Sequence, residues 1–197
     1  MRQNDGPRFT WYSVDVEASG PVPGIHNLLS IGVTAIVADE AGNHRLGDEL
    51  YLELQPVFPG HVESANAVHG LDLDRLRREG LSPCEAMRRL AEFVERTRGP
   101  GTEAVFVGHV AVFDWMHVAW YLAWCGIENP FGYKGIDTKS LAMGVLGVPW
   151  DGTGREEIED RLGIPHQDPG TVHRADADAR QQARLFVALL EALERRG

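Results

Sequence analysis

Two acidic side chains stand two positions apart near the start of the chain, in Trp11-Tyr12-Ser13-Val14-Asp15-Val16-Glu17. Aromatic and β-branched residues dominate this stretch, and Gly20, Pro21, Pro23 and Gly24 close it, which is the composition of a strand followed by a turn. Side chains alternate across a strand, so Trp11, Ser13, Asp15 and Glu17 share one face and Tyr12, Val14 and Val16 the other. Two carboxylates on one face of a mostly buried strand resist desolvation and repel each other unless a positive charge sits between them. A hard divalent cation such as Mg²⁺ or Mn²⁺ supplies that charge. An edge strand whose polar face meets solvent is the alternative, and this stretch alone leaves both open.

Further acids fall where they could meet this pair. Ala104 to Val107 reads as a buried strand that Gly108-His109 turns into a helix ending near Gly126. Asp114 therefore lies in the helix's first turn, at the carboxyl end of a strand, where open α/β sheets tend to place their sites. The last helix is expected from about Ala175 to Arg195. Asp178, Gln182, Leu185, Leu189 and Leu193 form one stripe along it, flanked by Ala175, Ala179 and Phe186, so Asp178 faces the core and needs a partner. Asp176 points about 200° around the helix and needs none. His173 lies on the loop that enters this helix, beside Asp178.

The elements that must position these groups mix strand directions. Leu28 to Val37 is β-rich, Asp39-Glu40-Ala41-Gly42-Asn43 signals a turn, and Leu50 to Leu54 alternates until Pro56. With the first strand these make an antiparallel meander. Pro56 to Gly80 is less regular, with a short helix around Leu71 to Arg78. Ser82-Pro83-Cys84-Glu85 starts a helix with a capping box and a proline in its first turn, and Met87, Leu90, Ala91 and Val94 give its apolar face. On the helix after Gly108 the apolar stripe is Val112, Met116, Ala119, Trp120 and Ala123. Gly135-Ile136-Asp137 reads as a short strand, with Asp137 or Thr138 capping a helix through Val145, and Arg155 to Leu162 as another helix. Strands first and helices alternating later give an α/β class with a mixed sheet.

Composition bounds the possibilities. At 197 residues one domain over residues 1–197 is expected, with 1–8 flexible. A formal net charge of −10 opposes binding along nucleic-acid backbones but leaves open an enzyme that grips a short end through metal ions. Arginines 75, 77, 78, 88, 89, 96 and 98 are interleaved with acids and read as a solvated, salt-bridged face. Cys84 and Cys125 are too few and too scattered for a zinc site or a disulfide framework, which fits a reducing, cytoplasmic setting. The polar N-terminus carries no apolar signal region. Ala104 to Gly126 is apolar enough to suggest a membrane span, but an Asp at a span centre costs roughly 2.5–3.5 kcal/mol, and Asp114 argues for a buried strand and helix instead. Trp11, Trp115, Trp120 and Trp124 read as core rather than base-stacking platforms, Trp150, in a Gly-rich loop, as either, and His26, His44, His61, His117 and His166 as surface or packing residues.

Taken in order, Asp15-Val16-Glu17, the Gly108-His109-Val110-Ala111-Val112-Phe113-Asp114 run and His173-Arg174-Ala175-Asp176-Ala177-Asp178 resemble the motifs of the DEDD exonuclease superfamily. The likeness is to its histidine-containing branch, which includes polymerase proofreading subunits, RNase T and oligoribonuclease. It spans nearly the whole chain, and Ala67-Val68-His69-Gly70-Leu71 is similar to the family's connecting segment. The resemblance implies an RNase H-like α/β fold: a five-stranded mixed sheet, its first three strands antiparallel, with helices on both faces. It implies that Asp15, Glu17, Asp114 and Asp178 hold two Mg²⁺ or Mn²⁺ ions roughly 3.5–4 Å apart, with Asp15 touching both. His173 would be the general base that takes a proton from an ion-activated water. The substrate would be a single-stranded DNA or RNA 3′ end or a short oligonucleotide, and the product a nucleoside 5′-monophosphate. The backbone of Ala18 and Ser19, with His69 and Phe113, would lie near the terminal nucleotide, and a homodimer would be in keeping with relatives. Val110 stands where relatives usually carry Asn, which removes a polar group beside the site. The alternative is a catalytically degenerate nucleic-acid-binding module of a larger repair, replication or RNA-processing assembly. The presence of all five chemical residues speaks against it.

Overall fold

A computed structural model describes residues 8–39 and 41–196, so the flexibility expected over 1–8 falls, apart from Arg8, outside the described residues. Five strands, β1 (Phe9–Ala18), β2 (Leu28–Ala38), β3 (His44–Glu53), β4 (Glu103–Gly108) and β5 (Gly135–Asp137), form one sheet in the order β3-β2-β1-β4-β5. β1 pairs antiparallel with β2, and β2 with β3, whereas β4 runs parallel to β1 and β5 parallel to β4. This is the mixed sheet, with its first three strands antiparallel, that the motifs imply. The helices are α1 (Glu63–His69), α2 (Leu73–Glu79), α3 (Pro83–Thr97), α4 (Ala111–Trp124), α5 (Thr138–Leu146), α6 (Arg155–Leu162) and α7 (Ala175–Glu194). Among the described residues no helix is long and apolar enough to cross a membrane.

The alternation along β1 divides the molecule. Tyr12, Val14 and Val16 enter the main core with Leu90, Phe93 and Val94 of α3 and Val118, Tyr121 and Leu122 of α4. Phe131 packs edge-to-face between Tyr12 and Phe106, at 5.7 and 5.4 Å between ring centroids. On the other face Trp11 meets Phe186 of α7, with Ile36 and Val107 beside them. Gly32 of β2, opposite Asp15, lets α7 begin here, because a Cβ at this position would collide with the Ala175 carbonyl. α5 and α6 pack on the outer side of α7 through Ala142, Val145 and Ile158 against Leu185 and Leu189.

Several expectations need correction. β3 begins at His44 rather than Leu50, because its first half is a charged, half-exposed edge whose alternation is masked by Arg45, Asp48 and Glu49. α1 occupies part of the stretch read as irregular; its start has no side-chain cap, and only the left-handed Gly70 after His69 signals its end. α4 buries Ala111, Asp114, Val118, Tyr121 and Leu122, and leaves Val112 75% exposed and Met116 exposed as well. Its sequence is apolar nearly all round, so periodicity could not set its phase; the inward turn of Asp114 does. Cys84 and Cys125 are joined in a disulfide between the start of α3 and the end of α4, 41 residues apart in sequence. Sequence spacing could not reveal that pairing, since it depends on the two helices packing side by side. Trp124 is about half exposed rather than core, and Trp150, for which the sequence leaves both readings open, is exposed to a similar degree. Ser82 caps α3, but the Glu85 side chain turns to Arg88 and Arg89 instead of closing the capping box. The arginine-rich region is salt-bridged as expected, through Arg75–Glu53, Arg88–Glu85 and Arg98–Glu95.

Candidate active site

The carboxyl end of β1 is where the acids meet. Asp15 and Glu17 project from the same face of the strand, and the ladder with β2 breaks register between Glu17 and Ala18 as the strand leaves the sheet. Asp114, 4% exposed in the first turn of α4, accepts the Val16 backbone N–H at 3.0 Å, which fixes it between the two β1 acids. Asp178, also 4% exposed, lies in the first turn of α7. Its position follows from a polar tie one turn further on. Gln182 is buried, and its amide donates to Ser13 Oγ at 2.8 Å, to the Val107 carbonyl at 3.0 Å and to the Val14 carbonyl at 3.2 Å. Gln182 Oε1 accepts the His109 N–H at 2.6 Å, and Ser13 Oγ donates to the Ala179 carbonyl at 2.8 Å. One glutamine thus locks α7 onto β1 and β4. Asp176 turns the other way, toward Arg174 at 3.1 Å and the Tyr51 side of the sheet.

His173 is exposed in the turn before α7, with a left-handed backbone at φ 64°, a conformation that His adopts more readily than most residues. Ligand atoms of Glu17, His173 and Asp178 all lie within 4.8 Å of one another. An open cleft of about 340 Å³ is lined by all five predicted residues, Asp15, Glu17, Asp114, His173 and Asp178.

Burial and mutual repulsion shift three acids of this cluster. Burial, then Asp114, Asp178 and Glu17, push the Asp15 carboxyl well above the ordinary carboxylate range, against the pull of Arg155. Burial, then Asp178, raises Glu17 to about 8. Burial raises Asp114 as well, although the Val16 N–H opposes it. Like charges crowded in a poorly solvated site hold protons unless a cation enters. Carboxylate oxygens with one imidazole nearby are a donor set suited to hard divalent ions, so the residues present fit the implied metals.

The expected substrate contacts divide. Phe113 lines the acid cleft and also a second, apolar cleft of about 310 Å³, formed with Ala18, Gly20, Val62, Ala65 and Val68. His69 is buried at the end of α1; its Nδ1 accepts the Leu71 N–H at 3.0 Å, which leaves the proton of the neutral ring on Nε2, where it has no protein partner. Burial and then His173 lower the His69 pKa. Ser19 is fully buried, its Oγ donating to the Gly60 carbonyl while its backbone N–H reaches the Asn27 carbonyl and its carbonyl accepts the Val62 N–H. It braces the turn after β1.

One residue escaped sequence reasoning, and a second reads there only as a helix cap. Arg155 lines the cleft and donates to Asp178 Oδ1 at 2.6 Å. An arginine at a helix start, 23 residues before its partner, carries no sequence signal. Asp137 accepts the Ala111 N–H at 3.0 Å while capping α5, and so holds the turn at Val110. Burial raises its pKa, but the hydrogen bonds from Ser140, Ala111 and Val110 outweigh that and lower it overall. That turn gives Val110 a left-handed backbone at φ 68°, an outlier for a β-branched residue and the geometry the usual Asn would relieve.

No family model matches the chain. It is 36% identical over 174 residues to a 3′-5′ DNA exonuclease, Cap18, of Escherichia coli, a match that covers 88% of each chain. The chain belongs to the DEDD exonuclease superfamily. It is a 3′→5′ exonuclease. Ribonuclease T of Shewanella sp. (strain W3-18-1) is 26% identical over 189 residues, covering 93% of this chain and 82% of that one. The nuclease domain of 3′hExo, a DEDDh family member solved bound to rAMP, shares the fold with a TM-score of 0.73 at 13% identity, over 93% of this chain and 91% of that one. Within the superfamily's sheet, the acids of this member sit at the carboxyl end of β1, brought there by the first turns of α4 and α7.

Proposed function

We propose that the enzyme removes nucleotides one at a time from single-stranded 3′ ends, with DNA preferred, and releases nucleoside 5′-monophosphates. The observation that carries this reading is the convergence of Asp15, Glu17, Asp114 and Asp178 with His173 on one open cleft. The four carboxylates would hold two Mg²⁺ or Mn²⁺ ions. When bound, these supply Lewis acidity, acidifying the attacking water and offsetting charge on the leaving 3′ oxygen. His173, on its exposed turn at the lip, takes the proton of that water as general base. Phe113 and Ala18 offer the terminal base and sugar an apolar wall. His69, whose Nε2–H is buried without a protein partner, lines neither cleft and would reach the nucleotide only if α1 shifts. Ser19 keeps the intervening turn in place. The acidic net charge, with surface arginines such as Arg88 and Arg98 paired to Glu85 and Glu95, disfavours a track along duplex backbone, which favours single strands and short ends. The preference for DNA follows the more similar of the two named relatives.

The test is a panel of 5′-labelled ribo- and deoxyribo-oligomers, from dinucleotides to long strands, with Mn²⁺ and with chelator. Stepwise shortening with release of mononucleotides is expected, fastest on DNA. Asp15→Asn and Asp178→Asn should each lower turnover by on the order of 10³-fold while the fold survives. Wild-type turnover in either variant refutes the site.

A further inference from the structure

Among the described residues that line the acid cleft, Arg155 is the one permanent cation. Its guanidinium donates to Asp178 Oδ1 at 2.6 Å, and only a quarter of its side chain is exposed. In the other arginine pairs among the described residues the carboxylate is more exposed, even where the pair joins separate elements, as Arg75–Glu53 and Arg180–Glu49 do. Arg88 with Glu85 and Glu92, and Arg98 with Glu95, are neighbours on one helix, largely open to solvent. Arg155 instead reaches from the first turn of α6 to a buried carboxylate on α7. It stands at an end without a side-chain cap, and the helix is anchored in the core one turn later by Ile158. Its charge is also felt at Asp15, across the cluster.

A carboxylate oxygen so close to a guanidinium cannot also bind a hard divalent ion without setting two cations against each other in a poorly solvated site. The guanidinium carries five donors in a planar fork matched to carboxylate and phosphate alike. We propose that Arg155 is a resident cation of the active site: it holds Asp178 in the metal-free enzyme, competes with the divalent ion for that carboxylate, and on loading passes to the phosphate of the strand end. The exchange rests on the reading that this cleft takes metal and a 3′-terminal phosphodiester. It makes Arg155 both a brake on metal binding and a clamp on substrate.

These two roles pull measurable quantities in opposite directions. Mn²⁺ is titrated calorimetrically into the metal-free wild type, Arg155→Gln and Asp178→Asn, without nucleic acid. Deoxyadenosine 5′-monophosphate is then titrated into the Mn²⁺-saturated wild type and Arg155→Gln. Arg155→Gln is expected to bind Mn²⁺ about fivefold more tightly and the monophosphate about tenfold more weakly. A residue that merely oriented Asp178 would give the reverse for the metal: weaker Mn²⁺ binding in Arg155→Gln, which overturns the proposal. Unchanged monophosphate affinity overturns it too. Wild-type Mn²⁺ binding that Asp178→Asn does not reduce sinks the metal reading and this inference together, whereas normal wild-type binding with no gain in Arg155→Gln sinks this inference alone. If Arg155→Gln does not fold, Arg155→Lys serves. It keeps the charge without the fork, so Mn²⁺ affinity should stay near wild type while monophosphate affinity drops, and an undiminished monophosphate affinity contradicts the clamp.

Discussion

The two faces of β1 are built on different physics. Toward α3 and α4 the strand presents Tyr12, Val14 and Val16 to a largely apolar core, where interlocked rings and aliphatic side chains are held mainly by burial, with the Tyr12 hydroxyl donating to the Val94 carbonyl at 2.9 Å. Toward α7 it presents Ser13, Asp15 and Glu17, and the helix is seated by hydrogen bonds radiating from Gln182. A dry face tolerates small repacking, because dispersion and burial are not directional. A polar face fixes position and direction more tightly, because an unpaired buried group is costly. The molecule uses the first for stability and the second to aim Asp178 at the β1 acids.

Matched substitutions separate these roles. Gln182→Leu leaves the His109 N–H without its acceptor and takes a donor from Ser13 Oγ and the Val107 carbonyl, so a loss of about 3 kcal/mol in unfolding free energy is expected, together with a drop of tenfold or more in kcat as Asp178 shifts. Phe93→Leu on the dry face should cost about 1–1.5 kcal/mol and leave kcat near wild type. Denaturant melts beside turnover assays check both. Equal effects on kcat would erase the distinction between the faces. A smaller effect of opposite sign is expected at Val110: Val110→Asn relieves a left-handed β-branched residue and should raise stability by about 1 kcal/mol, read as a higher melting temperature.

How much of this was legible beforehand follows the same division. The alternation of β1 was readable because period two is simple and its turn is rich in glycine and proline. Asp178 could be phased on α7 because that helix is amphipathic, with polar residues opposite the stripe. α4 could not be phased, since apolar residues surround it and only tertiary packing selects the buried side. Asp114 was located by its place at the carboxyl end of a strand and by its motif, not by the helix's periodicity. Arg155, the Gln182 tie and the Cys84–Cys125 bridge join residues distant in the chain without any local pattern, so only the folded arrangement reveals them. Gly32 belongs with these, because its reason is a helix end 143 positions away in sequence, at Ala175.

Crowding and burial at the end of β1 raise the carboxyls of Asp15, Glu17 and Asp114 above their ordinary range. Glu17 shows this most measurably, with a carboxyl raised from 4.5 to about 8 by burial and then by Asp178. A carboxyl whose pKa is higher in the folded state keeps a proton that the unfolded chain releases. Its contribution to stability is full below about 4.5 and is lost as pH rises toward 8. The direct measurement is the melting temperature of the metal-free protein from pH 5 to 8, for wild type and Glu17→Gln, without and with Mn²⁺. The account predicts that wild type loses stability relative to Glu17→Gln as pH rises, by on the order of a few kcal/mol across the window, and that Mn²⁺ restores it at pH 8. Parallel curves for the two proteins, or no response to Mn²⁺ at pH 8, would contradict it.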